Sequence, residues 1–272
     1  MKKIVLYANP SRDIGLAASG RVAGILKDMD LPYAVCTELS ELAGMASEVS
    51  MAVAFGGDGT ILHCARAVAA YDVPILGVNL GNKGFIAELE PEELELSRAA
   101  FEGRYATERR MMVDVCVYRD GEAVYRDFAL NEAVVGGVAR VIHMSVLGDG
   151  RPIMTFSGDG VIVATPTGST AYSMSAGGPL VEPDAENILV TPVCPHVLSA
   201  RSYVLTPERT VSVRLDPLRG KTAYLSVDGG DSVPLFGGEE IVIRKSALST
   251  KLVRVTDRSF YEKVSSKLGD RP

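Results

Sequence analysis

The chain has 272 residues, enough for a full hydrophobic core and, at roughly 100 to 200 residues per domain, for two domains. Hydrophobic residues make up 47% and charged residues 23%, and no apolar run nears the roughly 20 residues of a membrane-spanning helix, so a soluble, cytoplasmic protein is expected. The net charge of -6 disfavours a protein that holds nucleic acid by neutralising its phosphates, and any phosphate-bearing ligand must be held by backbone amides, single basic side chains or a metal.

The first hundred residues alternate short β-branched runs with longer helical patterns, the mark of a parallel sheet flanked by helices. Residues 4–7 read as a first strand, too short for a signal-peptide core and broken by Asn9-Pro10. Asp13 stands as an N-cap before the apolar set Ile14, Ala17, Val22, Ile25 and Leu26, which recurs at helical spacing until Leu31-Pro32 ends it. Residues 33–36 read as a second strand, and a helix begins near Ser40. The run 51–55 is wholly apolar, as a strand covered on both faces should be, and it ends on Gly56-Gly57-Asp58-Gly59-Thr60. Ile61, Leu62, Ala65, Val68 and Ala69 then mark a helix, 74–78 a strand and 91–101 a further helix.

Near Arg104 turn signals and alternating strands replace the long helical patterns. Asp120-Gly121 between 112–118 and 123–128 is a hairpin signal, because both residues tolerate the positive φ of a tight turn. Residues 161–164, 211–215, 223–227, 239–244 and 251–255 read as further strands, and 257–268 as a terminal helix. The expected organisation is an α/β domain over 1–103, to which 257–272 is a candidate to return, and a β-rich domain over 104–256. Cys36, Cys64, Cys116 and Cys194 lie far apart in apolar sequence and read as buried free thiols, without the spacing of a zinc or redox site.

Strand, Gly-Gly-Asp-Gly-Thr, helix puts backbone N–H groups and a helix N-terminus where they can hold an anion. Neither the phosphate-loop pattern ending in Gly-Lys-Ser/Thr nor the Gly-x-Gly-x-x-Gly dinucleotide fingerprint is present. A carboxylate in a phosphate cradle is repelled by its ligand unless Mg²⁺ intervenes or it accepts a hydroxyl proton, and both point to phosphoryl transfer. Taken alone, the pentapeptide reads equally as a tight turn in which Asp58 and Thr60 cap the helix.

The loop resembles one shared by NAD kinases, diacylglycerol kinases and phosphofructokinases. Its companions select among them: Asn79-Leu80-Gly81-Asn82-Lys83-Gly84-Phe85, Leu130-Asn131-Glu132, the stretch 159–173, Ser175-Ala176-Gly177-Gly178-Pro179, Thr191-Pro192-Val193-Cys194-Pro195-His196, and Ser226-Val227-Asp228-Gly229. Together they resemble the NAD kinase family across nearly the whole chain. The resemblance implies a Rossmann-like N-terminal domain, a β-rich, sandwich-like C-terminal domain, and a homodimer or homotetramer. It implies transfer of the terminal phosphoryl group of ATP to the adenosine-ribose 2′-hydroxyl of NAD, with Mg²⁺ or another divalent cation and no metal site of the protein's own.

By the same resemblance Asp58 is the catalytic base and orients the ribose, while Gly56, Gly57, Gly59 and Thr60 face the triphosphate, Gly59 also lying beside NAD. Asn131 and Glu132 fix ribose hydroxyls, Phe85 and Tyr172 flank the adenine, and Thr170, Ala171, Ser173 and Ser175 belong to the segment that bonds the base. Asp159 and His143 match further NAD-binding positions, although a lone histidine in apolar sequence also serves structural roles, as does His63 on the helix after the loop. Lys83 and Ile86 stand where relatives carry leucine, and Ser157 and Gly230 where many carry a basic residue and a glutamine. A lipid or sphingoid kinase with the same loop, or an NAD(P) sensor that binds without transfer, are the alternative functions.

Overall fold

In a computed structural model that describes residues 2–81 and 84–269, the N-terminal apolar run forms β1 (Lys3–Ala8), buried from Ile4 onward. The Asp13 carboxylate accepts the Ala18 and Ser19 amides at 2.8 and 3.0 Å and so stabilises the start of α1 (Ala17–Asp28) from a distance. Ile14 is not part of that helix's buried face: it sits in a short 3-10 turn, 72% exposed, because Gly15 at φ +63° and Leu16 at φ +56° interrupt the helical path. Then come β2 (Tyr33–Cys36), α2 (Leu39–Met45), β3 (Val49–Gly56), α3 (Asp58–Val68) and β4 (Pro74–Asn79). The expected helix over 91–101 is split into a 3-10 segment, Pro91–Leu96, and α4 (Ser97–Phe101). Leu6, Val22, Leu26, Phe55, Leu76, Leu89 and Leu94 are among the side chains of this unit's core, and Val253 from the C-terminal segment joins them.

The β-rich unit starts within β5 (Ala106–Arg119), which turns through Asp120 (φ +51°) and Gly121 (φ +81°) into β6 (Glu122–Ala129). It continues with β7 (Glu132–Gly137), β8 (Ile142–Gly148), β9 (Arg151–Gly158), β10 (Gly160–Ala164), α5 (Tyr172–Ser175), β11 (Ile188–Val193), β12 (Tyr203–Leu205), β13 (Val211–Leu215), β14 (Ala223–Val227) and β15 (Val233–Leu235). One antiparallel sheet runs β12-β11-β10-β7-β14-β15. The two strands expected over 239–244 and 251–255 are parts of one 15-residue strand, β16 (Glu240–Arg254), which stops one residue short at either end, and Ser259 then caps α6 (Phe260–Leu268). Within this unit β16 pairs with β13, β13 with β8 and β8 with β9, all antiparallel. Val113, Val135, Met144, Phe156, Val163, Val213 and Leu225 pack into one core fed by strands of both sheets.

Contacts divide the chain into Met1–Arg110 with Ser249–Pro272, and Met111–Leu248. Both exchanges fall inside strands, β5 and β16, so no linker composition marks them. In the first unit the parallel order is β2-β1-β3-β4, with the end of β16 added alongside β4 at Lys251 and Leu252.

Candidate functional site

In the α/β unit the strand order reverses direction between β1 and β3, and open sheets of this kind take ligands at the carboxyl ends of strands where that happens. The glycine-rich loop lies there. Gly56 ends β3 and Asp58 begins α3, with Gly57 as its extended N-cap. A Cβ on Gly56 would lie 2.2 Å from Thr60 Oγ1, so only glycine lets the chain turn this tightly. Gly57 and Gly59 face open space, which leaves backbone N–H groups at a helix N-terminus approachable by an anion. Asn9, at the end of β1, donates from its amide to Thr60 Oγ1 at 3.3 Å and ties the two loops together.

Asp58 is half-buried, and its carboxylate accepts the Phe85 amide at 2.7 Å and the Ile86 amide at 3.2 Å, one on each oxygen. Each oxygen keeps lone-pair capacity for a further donor. Gly84 packs against it so closely that a Cβ there would meet Asp58 Oδ1 at 2.0 Å. Phe85 is buried, with the Lys267 ammonium 4.0 Å from its ring centre, and Ile86 is buried where its amide serves Asp58. Asn82 and Lys83 lie outside the described residues. His63 is exposed on α3.

In the β-rich unit a second cluster forms where β7 begins. The Asp228 carboxylate, held in the turn after β14 at φ +51°, accepts the amides of Leu130 (2.8 Å), Asn131 (2.8 Å) and Glu132 (3.1 Å). Thr165 donates its amide to Asn131 O, and Gly168 fits against that carbonyl with no room for a Cβ. Two polar atoms of this corner, Asn131 Oδ1 and Glu132 Oε2, are buried without a hydrogen-bond partner. Such atoms are costly unless a ligand completes them. Burial, and then the neighbouring Asp228 carboxylate, push the Glu132 carboxyl up to about 8, against a downward pull from its hydrogen bond with the Tyr172 backbone.

Beside this corner a concavity of about 260 Å³ is lined by Gly136, Gly160, Arg140, Asp159, Tyr172 and Tyr224, among others. Asp159 and Tyr172 are thus brought together, Tyr172 being 43% exposed. Thr170 and Ala171 are half-buried just before Tyr172, Thr170 Oγ1 donating to Thr167 O at 3.2 Å, and Ser175 is exposed. The Ser173 hydroxyl is occupied by Thr191 Oγ1 at 3.0 Å and is fully buried. His143 is on β8, in the other sheet of the unit, exposed and facing Ser157 across the β8–β9 pair with Nδ1 2.9 Å from its Oγ. Gly230 closes the Asp228 turn, donating its amide to Val227 O at 2.9 Å. Cys36, Cys64 and Cys116 are buried, but Cys194 is exposed at φ +45° beside Asp159, because the turn after β11 lifts it off the sheet.

Asp228, Asn9, Arg140 and Tyr224 were not singled out as site residues from sequence. Asp228-Gly229-Gly230 after a strand reads as a turn, and nothing local shows that its carboxylate reaches three amides about a hundred residues away. Among the described residues no group of three His, Cys, Asp or Glu is placed to hold a metal ion, and no helix is long and apolar enough to cross a membrane.

Two family models match, the ATP-NAD kinase N-terminal domain over residues 21–105 and the ATP-NAD kinase C-terminal domain over residues 130–255. Among curated relatives, the NAD kinase of Lachnoclostridium phytofermentans is 37% identical with both chains covered completely. That of Symbiobacterium thermophilum is 43% identical over 81% of this chain and 79% of the relative. Among solved structures, an NAD kinase from Archaeoglobus fulgidus in complex with ATP superposes with a TM-score of 0.78 at 29% identity, covering 98% of each chain. Yeast NADH kinase complexed with NADH gives a TM-score of 0.83 at 22% identity, over 99% of this chain and 88% of that one, a likeness of fold.

Proposed function

The chain belongs to the ATP-NAD kinase family, and from that premise we propose that it phosphorylates the adenosine-ribose 2′-hydroxyl of NAD with Asp58 as the base. The observation that carries this reading is the pair of buried, unpartnered oxygens, Asn131 Oδ1 and Glu132 Oε2. Two oxygens side by side suit the vicinal diol of a ribose: the 3′-hydroxyl can donate to this pair, which leaves the 2′ proton for Asp58. Asp58 takes the proton of the 2′-hydroxyl as that oxygen bonds to the γ-phosphorus. The bond from that phosphorus to the bridging oxygen breaks, and ADP leaves with the electron pair. The transition state of such transfers is loose, so orienting the hydroxyl in line is the larger share of the carboxylate's work.

Gly56, Gly57, Gly59 and Thr60 offer the triphosphate the loop and first turn of α3. Mg²⁺ is proposed to arrive with ATP, and Asp58 is the carboxylate beside the phosphates that would face it. Bound there, it supplies neutralisation of charge on the phosphates. Tyr172 and Phe85 offer rings to the adenine, although Phe85 is already faced by Lys267. Thr170, Ala171 and Ser175 offer hydrogen bonds to the base, Ser173 only its backbone, and Asp159 and His143 serve the remainder of the dinucleotide. The polar Asn131–Glu132 corner disfavours a lipid kinase, and a carboxylate in the phosphate loop disfavours a sensor that only binds. The working form is a cytoplasmic homodimer or homotetramer, which light scattering measures.

The test is NADP formation from NAD by the pure protein with Mg²⁺, using ATP, other nucleoside triphosphates and polyphosphate as donors, and NADH beside NAD. Asp58→Asn should lower kcat by about 10²-fold or more with NAD binding changed only a few-fold. Absence of NADP from the unmutated enzyme with every donor defeats the reading, and full turnover by Asp58→Asn removes Asp58 from it.

A further inference from the structure

The backbone segment 84–88 is held from two sides. Its amides at Phe85 and Ile86 go to the Asp58 carboxylate at 2.7 and 3.2 Å. Its next carbonyls each receive one cation from the C-terminal segment: Arg254 Nη1 donates to Ile86 O at 3.0 Å, Lys263 Nζ to Ala87 O at 3.1 Å and Arg258 Nη1 to Glu88 O at 3.2 Å. Ile86, Ala87 and Glu88 are buried, so their carbonyls need partners within the protein, and all three partners are cationic side chains of the C-terminal segment.

The cations are themselves anchored. Glu88 is 2% exposed, and its carboxylate accepts Arg254 Nη1 at 3.1 Å, the Val255 amide at 2.9 Å and both the amide and hydroxyl of Thr256 at 2.7 Å. Arg254 also pairs with Glu108, and Arg258 with Glu93. Segment 84–88 is therefore a rigid bracket between the C-terminal segment and the carboxylate that begins α3.

We propose that Arg254, Arg258 and Lys263 are positioning residues for the transfer step, holding the 84–88 backbone so that its two amides fix the direction of the Asp58 carboxylate. The proposal rests on the reading of Asp58 as the base. None of the three cations need touch a substrate. Their effect reaches the reacting hydroxyl through the backbone and Asp58, so it belongs in kcat rather than in KM.

Lys263 gives this arrangement a signature in pH. Its ammonium is mostly buried, and burial first, then the Arg254 charge and more weakly Arg110, lower its pKa to about 8 against the opposing pull of Glu88 and Glu108. Lys263 lines a concavity together with Glu90, Arg258 and Glu262. Above pH 8 the side chain becomes a neutral amine, and its bond to Ala87 O loses the charge assistance that about doubles its strength. Arginine at the same place stays charged throughout.

The experiment compares the full-length enzyme with Lys263→Met and Lys263→Arg, with kcat and both KM values measured from pH 7 to 9 and thermal midpoints in parallel. Lys263→Met should lower kcat about 10-fold at pH 7 with KM for ATP and NAD within about 2-fold, and Lys263→Arg should restore it. The unmutated enzyme should lose turnover above pH 8 relative to Lys263→Arg, which removes that limb. Unaltered kcat in folded Lys263→Met, or the same alkaline loss in Lys263→Arg, overturns the proposal. If Lys263→Met does not fold, the pH profile of Lys263→Arg decides alone. Asp58→Asn in the same assay separates the two failures: retained turnover there defeats the base reading itself, whereas its loss beside indifferent Lys263 variants defeats only the positioning role.

Discussion

Glu132 carries a cost in the free protein, which the ribose proposed above would relieve. The residue is 7% exposed, one carboxyl oxygen is unpartnered, and burial with Asp228 alongside pushes its pKa from 4.5 up to about 8. Between those values the folded chain binds a proton that the unfolded chain has released, so this group's stabilising contribution is complete below pH 4.5 and lost as pH rises through 8. Lys263 acts with the opposite sign, its lowered pKa making stability rise with pH, but only between about 8 and 10.5. Glu132→Gln cannot titrate, and its thermal midpoint should exceed the unmutated protein's at pH 8 by roughly 3 °C or more while losing most of the decline between pH 5 and 8. NAD affinity should fall in the same variant. Equal midpoints at pH 8 would show that the carboxylate is satisfied in the free state. Asp58 was singled out in sequence because a carboxylate inside a glycine cradle is at odds with simple anion binding. Asp228 was not, because its three partners are amides, which every residue has, at a separation no local pattern encodes.

At the level of elements, two glycines test different things with the same substitution. A Cβ on Gly168 would meet Asn131 O, C and Cα at 2.2 to 2.9 Å, all backbone atoms beneath the Asp228 bonds. They cannot yield cheaply, and Gly168→Ala should cost about 1–3 kcal/mol or more in unfolding free energy by denaturant titration. The nearest atoms to a Cβ on Gly84 are those of the Asp58 carboxyl, a side-chain end that can swing aside by giving up its bonds to the Phe85 and Ile86 amides. Gly84→Ala should therefore leave the midpoint within a few degrees while lowering kcat by about 10²-fold. A reversal of that pattern, stability lost in Gly84→Ala and activity kept, would mean that Asp58 serves the fold and not the reaction. Elements with one dominant period were readable: the buried run that became β3, and the Asp120-Gly121 hairpin. The 3-10 path at Ile14 escaped because its apolar residue fits helical spacing, while the departure lies in the φ angles of Gly15 and Leu16. β16 read as two strands because Lys245, Ser246, Ser249 and Thr250 place a polar interval in its middle, where the chain passes from one unit to the other.

For the whole molecule, the sequence shows a change of texture near residue 104, but the units exchange the chain inside β5 and β16, and strand pairing rather than composition sets those points. The α/β unit consequently depends on residues far along the chain. Leu252 and Val253 are 1% and 0% exposed, Lys251 and Leu252 extend the parallel sheet beside β4, and Glu88 draws its charge partner Arg254 and three hydrogen bonds at Val255 and Thr256 from that stretch. A chain ending at Leu248 loses all of these. Leaving the Glu88 charge buried and unpaired costs about 3–5 kcal/mol, and the missing core side chains add about 2–5 each, against a total stability of roughly 5–15. That unit should not fold in the truncated chain. A chain ending at Arg258 keeps every one of those partners and loses α6 with its Ser259 cap and the residues after it, and no residue of α6 belongs to the buried core, so it should still unfold cooperatively while turnover falls with the loss of Lys263. Circular dichroism melts with hydrogen exchange on β1, β3 and β4 distinguish the cases. Protection of those strands in the chain ending at Leu248 would show that the α/β unit closes its core without the returning segment, and that Arg254 secures a site rather than a fold.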